Sequence, residues 1–382
     1  MSQATRIKVL VVDPSVVCRR LLSQVVSQLP TVSQVTATPN GRIALARLEQ
    51  TPTDLVLFDL SQDTDQGLDQ LKKIHAGFPD MVVIAMVPRD RLDPVIAVSA
   101  MQCGALELIA KPDQSAPPHA WSKFQRELSA MLGSIHGRRD AVRARRLSQR
   151  GAQPAAAGEP PPGRDAAAPL RPAAARPITG GAFSVVAIGS STGGPNALQR
   201  VIPLLPADLG IPLLLVQHIP PEFTGALADS LNRHSALTVV EAAEHQPLRP
   251  GVVYLAPGGR HMVVTPTAGE PFGVIGINDD PPVNSCRPSV DVLFKSLAAI
   301  GGLRTLAVVM TGMGFDGRAG VQEIKAQGGY CLSQSEDTCV VYGMPRAVDE
   351  AGLSDERVPL DNLARRITTL VQASGASERP WR

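Results

Sequence analysis

The sequence predicts an α/β protein of two doubly wound parallel-sheet domains joined by a flexible linker, and three observations carry that prediction. Short apolar runs alternate with helix-length amphipathic segments over residues 5–132 and again over 183–372. Between those stretches, over 133–182, apolar periodicity disappears. In both halves, residues able to carry chemistry follow directly on apolar runs, where an open parallel sheet collects its functional groups.

In the first half, Ile7–Val12 is an apolar strand candidate. Ser15 then caps a run in which Val16, Val17, Leu21, Leu22, Val25, Val26 and Leu29 share one helical face. Leu55–Phe58, Met81–Met86 and Leu106–Ala110 are further strand candidates, with helical segments over 41–49, 66–77 and 92–102 between them. Residues 133–182 are rich in Ala, Pro, Gly and Arg, including Pro160-Pro161-Pro162. Such a stretch cannot bury enough surface to offset its ordering entropy, so it reads as linker. Its arginines (Arg138, Arg139, Arg143, Arg145, Arg146 and Arg150) read as a helix tail running into solvated chain. In the second half, strands are expected at Ser184–Gly189, Pro212–Val216, Val252–Ala256, Phe272–Ile277, Leu306–Met310 and Tyr330–Leu332. Helices fit 194–203, 222–233, 289–299 and 361–372, and 373–382 is a tail.

Composition excludes several classes of function. Of 382 residues, 44% are hydrophobic but only 3% aromatic, so the cores are aliphatic and platforms for stacking nucleic-acid bases are lacking. The net charge of +2 selects no charged partner. No apolar run approaches the roughly 18 residues of a membrane span, so no membrane insertion is expected. Arg6, Lys8 and Asp13 bracket too short an apolar run for a secretory signal. Cys18, Cys103, Cys286, Cys331 and Cys339 show neither C-x-x-C pairing nor metal-ligand spacing, as expected of reduced thiols in a cytoplasmic protein.

The stretch with the strongest chemical content is Phe183–Gly194. An apolar run ends in Gly189-Ser-Ser-Thr-Gly-Gly194, and Pro195 onward has helical spacing. A Ser in a Gly-lined turn between strand and helix stands exposed at a sheet edge, with backbone N–H groups of the helix start nearby. The same string also suits a simple tight turn, or a phosphate loop, although no Gly-Lys-Ser/Thr follows it. A nucleophilic Ser needs a base and a group to orient that base. His218 follows the strand Leu213–Gln217 directly; His261, in the loop after Gly258-Gly259-Arg260, is the second choice, and His234 and His245 follow no strand. Asp316 lies in Thr311-Gly-Met-Gly-Phe-Asp-Gly317, after the strand Leu306–Met310, where it also suits an N-cap for a following helix. The chain order Ser–His–Asp differs from that of the α/β-hydrolases.

These residues lie within strings that resemble the catalytic domain of the bacterial chemotaxis protein-glutamate methylesterases, the CheB family. The strings are Gly189–Gly194, Gln217-His-Ile-Pro-Pro-Glu-Phe-Thr224, Tyr254-Leu-Ala-Pro-Gly-Gly-Arg-His-Met262, Val283-Asn-Ser-Cys-Arg-Pro-Ser-Val-Asp-Val-Leu-Phe294, Thr311–Gly317 and Cys339-Val-Val-Tyr-Gly-Met-Pro-Arg346. They occur in the family's order and cover most of 183–350. The resemblance implies Ser191 as nucleophile, His218 as base, Asp316 as the orienting acid, and an oxyanion pocket from the backbone at Thr192 and Met313. It further implies hydrolysis of glutamyl γ-methyl esters on methyl-accepting chemoreceptors, deamidation of receptor glutamines, and no cofactor for catalysis. Arg260, His261 and Arg287 are candidates for the substrate groove or for structural roles.

The first half resembles a two-component receiver. Asp59, at the end of a strand, matches the phospho-acceptor, and Lys111-Pro112 matches the lysine that contacts the acyl phosphate. The resemblance implies a histidine kinase as phosphodonor and a Mg²⁺ ion at Asp13 and Asp59. Three departures stand out: Pro14 replaces the second of the paired acids, Ala85 or Met86 stands where a hydroxyl residue is expected, and Ser61–Gln66 replaces the usual Met-Pro turn. Asp63 or Asp65 is a candidate for a further ligand. Two functions follow: an esterase regulated by its receiver, or a non-catalytic signalling protein acting through that receiver.

Overall fold

The computed structural model describes residues 6–60, 64–78, 81–88, 93–133 and 181–375. Nearly all of the expected linker lies outside these residues, as do Asp63 and most of the tail.

The first domain runs β1 (Ile7–Val12), α1 (Val16–Ser27), β2 (Val32–Thr38), α2 (Gly41–Gln50), β3 (Leu55–Asp59), α3 (Thr64–Gly77), β4 (Val82–Pro88), α4 (Pro94–Gln102), β5 (Glu107–Lys111) and α5 (118–133). Its five strands are all parallel in the order β2-β1-β3-β4-β5, so the order reverses between β1 and β3. Asp13 and Asp59 stand at that reversal, the position at which such sheets bind ligands. Two apolar clusters, one on each face, cover the sheet, which is why β3 is buried along its whole length. The expected Ser15 cap is present: its hydroxyl accepts the Cys18 N–H at 3.3 Å. β4 extends two residues beyond the expected run, so Ala85 and Met86 lie inside the strand, Met86 paired with Asp59. Val87 and Pro88 complete the strand, and neither carries a hydroxyl.

The second domain is a seven-stranded, wholly parallel sheet in the order β14-β13-β12-β6-β7-β9-β8. Its strands are β6 (Val185–Ser190), β7 (Leu213–Gln217), β8 (Thr238–Glu241), β9 (Val252–Leu255), β12 (Thr305–Val309), β13 (Tyr330–Gln334) and β14 (Glu356–Val358). Helices α6 (Gly194–Val201), α7 (Pro221–His234), α8 (Val290–Ala298), α9 (Arg318–Ala326), α10 (Met344–Glu350) and α11 (Leu360–Ala373) accompany it. β6, β7 and β12 are fully buried because helices cover both faces; their sequences are therefore continuous apolar runs rather than alternating ones. The sheet order turns back between β6 and β12, so Ser191 and the loop after β12 face each other across the crevice.

One expected strand has a different partner. Phe272–Ile277 lies in β11 (Glu270–Asn278), which pairs antiparallel with β10 (His261–Thr267) in a separate hairpin. An isolated apolar run does not record which strand it pairs with, so it cannot distinguish a strand of the parallel sheet from a hairpin strand.

The domains touch through α4. It packs on α6 and α7, and Val98, 3% exposed, belongs to the apolar core of the second domain. Gln102 Nε2 donates to Ser230 Oγ at 2.6 Å, and Asn196 Nδ2 donates to the Ala105 carbonyl at 2.8 Å. Among the described residues, no helix is long and apolar enough to cross a membrane.

Candidate active site and receiver pocket

Three strand ends build the site in the second domain. β6 delivers Ser190 and Ser191, β7 delivers Gln217 and His218, and β12 leads through Met310 into Thr311 and Gly312. Gln217 ties the first two together: it accepts the Ser190 hydroxyl at 2.7 Å and donates to the carbonyls of Ser191 (2.9 Å) and His218 (3.1 Å). Ser190 is thus fully buried and bonded inward, whereas Ser191 is partly exposed. The Ser191 N–H donates to the Thr311 carbonyl at 3.0 Å. Thr311 Oγ1 donates to the Thr192 carbonyl and accepts the N–H groups of Val340 and Val341, fixing the turn. Gly312 is required by contact: a Cβ there would lie 2.4 Å from Met344 Sδ and 2.8 Å from Ser191 Cβ.

Asp316 does not cap the helix that follows it; Gly317, at φ 93°, begins α9 without a side-chain cap. The carboxylate instead holds the start of α8. Oδ2 accepts Val290 N–H at 2.7 Å, while Oδ1 accepts Ser289 Oγ at 2.8 Å, Asn284 Nδ2 at 2.9 Å and Asp291 N–H at 3.2 Å. Oδ2 also lies 2.9 Å from His218 Nε2. Burial alone would raise the pKa of Asp316, but the His218 bond and these donors outweigh it and hold the group down to about 2. An ionised carboxylate only accepts, so His218 Nε2 carries the proton and a neutral ring leaves Nδ1 as its acceptor. Burial likewise pulls His218 down, yet the bonds to Asp316 and Cys286 prevail and raise it to about 9. Cys286 Sγ lies 3.5 Å from Nδ1.

The structure therefore brings Ser191, His218 and Asp316 to one edge. The Ser191 hydroxyl makes no hydrogen bond among the described residues, so the serine–histidine contact is open in this state. Thr192 N–H is also without a hydrogen bond among the described residues, and Met313, in the loop after β12, is 47% exposed. His261 is placed elsewhere: it is fully buried, its Nδ1 accepts Ser289 N–H at 3.2 Å and its Nε2 lies 3.2 Å from the Pro281 carbonyl. Arg260 bonds Asp279, and Arg287 donates to the carbonyls of Asp279 and Asp280, so all three brace the 279–289 loop. Sequence reasoning assigned no role to Gln217, Asn284, Cys286, Ser289 or Asp291. Their signal lay in the two strings Gln217–Thr224 and Val283–Phe294, without indicating which side chains meet Asp316.

In the first domain, Asp13, Asp59 and Lys111 meet as expected. Lys111 Nζ lies 2.5 Å from Asp13 Oδ2 and 2.9 Å from Asp59 Oδ1. Asp13 Oδ1 accepts Ser15 N–H at 2.8 Å, so both of its oxygens are engaged. Burial, then the neighbouring Asp59, raises the pKa of Asp13 in spite of Lys111; burial lowers that of Lys111 less than the two carboxylates raise it. Mg²⁺ demands a near-octahedral set of oxygens. Pro14 has no side-chain oxygen and its carbonyl accepts from Arg19 at 3.0 Å, while the Lys111 ammonium lies between the two acids, so these residues do not fit the ion expected at Asp13 and Asp59.

A parallel-sheet domain with a serine, a histidine and an aspartate at one edge, coupled to a five-stranded domain with an acid–lysine pocket, defines a two-domain hydrolase with a receiver-type regulatory domain. The family model for CheB methylesterase matches residues 186–367, and that for the response regulator receiver domain matches 9–117. A Desulfotalea psychrophila protein named protein-glutamate methylesterase/protein-glutamine glutaminase is 35% identical over 377 residues, covering 96% of this chain and 99% of that one. A Geobacillus kaustophilus protein of the same name is 38% identical over 367 residues, covering 96% and 99%. The chain belongs to this CheB family of protein-glutamate methylesterases/protein-glutamine glutaminases. The crystal structure of the Thermotoga maritima CheB methylesterase catalytic domain is 39% identical to it, with a TM-score of 0.48 over 50% of this chain and 99% of that one.

Proposed function

We propose that this enzyme resets methyl-accepting chemoreceptors in the cytoplasm, with Ser191, His218 and Asp316 as its catalytic triad. The observation that carries the assignment is the His218 Nε2–Asp316 Oδ2 bond at the strand ends flanking Ser191. It fixes the tautomer that leaves Nδ1 to accept a proton. On substrate binding Ser191 Oγ displaces the Cys286 thiol from Nδ1, gives up its proton there and attacks a glutamyl γ-methyl ester. Thr192 N–H, with the backbone at Met313, stabilises the oxyanion; removing one such donor costs about 3–4 kcal/mol in related sites. Methanol leaves with the proton from His218, and water attacks the acyl-enzyme through the same base. A glutamine amide follows the same course with ammonia as the leaving group. Ser191→Ala should abolish methanol release from methylated receptors and labelling by a serine-reactive phosphonate; activity retained in that variant would refute the assignment.

The receiver acts through α4, which rests on the two helices that follow Ser191 and His218. Asp59 is the candidate phospho-acceptor and a histidine kinase the candidate donor. Because the pocket does not fit Mg²⁺, we propose that docking sets the activity and that a phosphodonor changes it little. Turnover of the full chain with and without a small-molecule phosphodonor tests this, and a large phosphodonor-dependent rise would overturn it.

A further inference from the structure

We propose that His218 Nδ1 and Cys286 Sγ form a binding site for a soft divalent transition-metal ion, best matched by Zn²⁺, and that the bound ion switches the esterase off. The separation of the two atoms, 3.5 Å, is the first argument. Zinc binds sulfur at about 2.3 Å and imidazole nitrogen at about 2.0–2.1 Å in tetrahedral geometry, which sets the two ligand atoms roughly 3.5 Å apart. The second argument is Asp316 on Nε2. Zinc-bound histidines almost always donate their other N–H to a carboxylate or carbonyl, which fixes the ring and raises its basicity. Here that partner is present at 2.9 Å before any metal binds. His218, Cys286 and Asp316 are also the one group of potential metal ligands gathered this closely among the described residues.

The third argument is that the chain holds the thiol in place. Val283 and Cys286 exchange both backbone hydrogen bonds across a two-residue turn whose central residues, Asn284 and Ser285, have φ of 53° and 63°. That is the geometry of a type I′ turn, which suits Asn but is strained for Ser. The Asn284 side chain anchors the turn to Asp291 and Asp316 at 2.8 and 2.9 Å. Cys18, Cys331 and Cys339 are buried, and burial pushes the thiol pKa of Cys103 up, so none competes as an accessible ligand.

Binding replaces the S–H proton by the metal, and the Nδ1 proton as well where the ring is charged, and the protons released go to solvent. With two protein ligands the ion keeps open positions for water, so it exchanges rather than serving as a structural closed site. Inhibition follows from position: Asp316 occupies Nε2, and an ion on Nδ1 removes the one ring nitrogen able to take the Ser191 proton. That inhibitory half rests on the proposed role of His218 as base; the binding half does not.

The test is a Co²⁺ titration of the full chain after chelator treatment, followed by thiolate-to-cobalt charge-transfer absorption, with methanol release measured in parallel under Zn²⁺. One ion per chain should give the band, and Zn²⁺ should bleach it. Cys286→Ala and Cys286→Ser should both lose the band, and Asp316→Asn should weaken binding by about 10–100-fold. Zn²⁺ should suppress methanol release by the wild type, and the fold-inhibition should fall in both Cys286 variants relative to their own metal-free rates. Absence of the band, or its persistence without Cys286, overturns the site. A band with unimpaired methanol release leaves the site standing and overturns both the inhibition and the reading of His218 as base.

Discussion

Both domains place carboxylates at strand ends beside the reversal of a parallel sheet, yet the two environments drive those carboxylates in opposite directions. Asp316 accepts from two backbone N–H groups at the start of α8, from Ser289 and Asn284, and from His218. It is held down to about 2, an anchor that stays ionised. Asp13 is raised first by burial and then by the second acid beside it, and its fewer donors, Lys111 among them, do not offset the two. Burial pushes both carboxylates upward, so the difference between them comes from the number of donors facing the oxygens and the presence of a like charge. A carboxylate saturated with donors can orient a base, whereas two carboxylates sharing one ammonium form a closed unit with little room for a metal.

The largest predicted effect removes the nucleophile. Ser191→Ala should lower kcat for methanol release by on the order of 10⁶-fold, because triad members act as a unit. Folding should be unaffected, as the Ser191 hydroxyl makes no hydrogen bond among the described residues. Asp316→Asn should come next, with a loss on the order of 10⁴-fold from a misoriented imidazole. It should also lower the Tm, because the amide presents an NH₂ to groups that donate. If Asp316→Asn left both rate and Tm near wild type, the contrast between the two carboxylates would collapse.

Lys111→Met tests the other side. It leaves two buried carboxylates facing each other without their cation, and breaking a buried pair in this way costs about 3–5 kcal/mol. The first-domain unfolding transition should shift downward and recover in part below the carboxylate pKa range, where the acids are protonated. No shift would mean that the acid–lysine unit is not what holds the pocket.

The pH dependence follows from His218, whose neutral form is required for proton abstraction. With its pKa raised to about 9, and with metals chelated, kcat/KM should climb close to tenfold per pH unit from pH 7 and level off near 9. The stability dependence has the opposite sign. A raised histidine pKa contributes stability that is fully present below about 6.5 and lost as pH rises through about 9. A rate profile already flat at pH 7 would show that the imidazole is not held charged.

Much of this was legible in the sequence because β6, β7 and β12 are continuous apolar runs that end directly in chemical residues. Ser191, His218 and Asp316 could be placed at strand ends without knowing the strand order. β2, β8, β10 and β14 were not anticipated: Val32-Ser-Gln-Val-Thr-Ala-Thr38 mixes polar and apolar residues, β2, β8 and β14 are edge strands, half exposed or short, and β10 opens at His261, which the sequence suggested lay in a loop. The partners of Asp316 were illegible for another reason. They are 25 to 98 residues away in sequence, and no local pattern records that a carboxylate will cap a helix other than its own. The same holds for Cys286, whose position depends on a left-handed pair at Asn284 and Ser285.

The smallest expected effect concerns the contact that joins the two regions. Val98 on α4 is buried in the core of the second domain, between helices that begin just after Ser191 and His218. Val98→Asp puts an unpaired charge into that contact and should separate the domains without touching either carboxylate site. If docking restrains the esterase, turnover of the full chain should rise severalfold, with the pH profile unchanged because His218 keeps both partners. Gln102→Ala removes one hydrogen bond, worth about 0.5–1.5 kcal/mol, and should give a smaller rise in the same direction. The ranking matters more than either value, because apolar burial and a single polar contact predict different shares of the docking energy. Equal effects from the two variants would mean that the hydrogen bond, and not the buried valine, sets the position of α4. No effect from either would mean that α4 rests on the catalytic domain without controlling it.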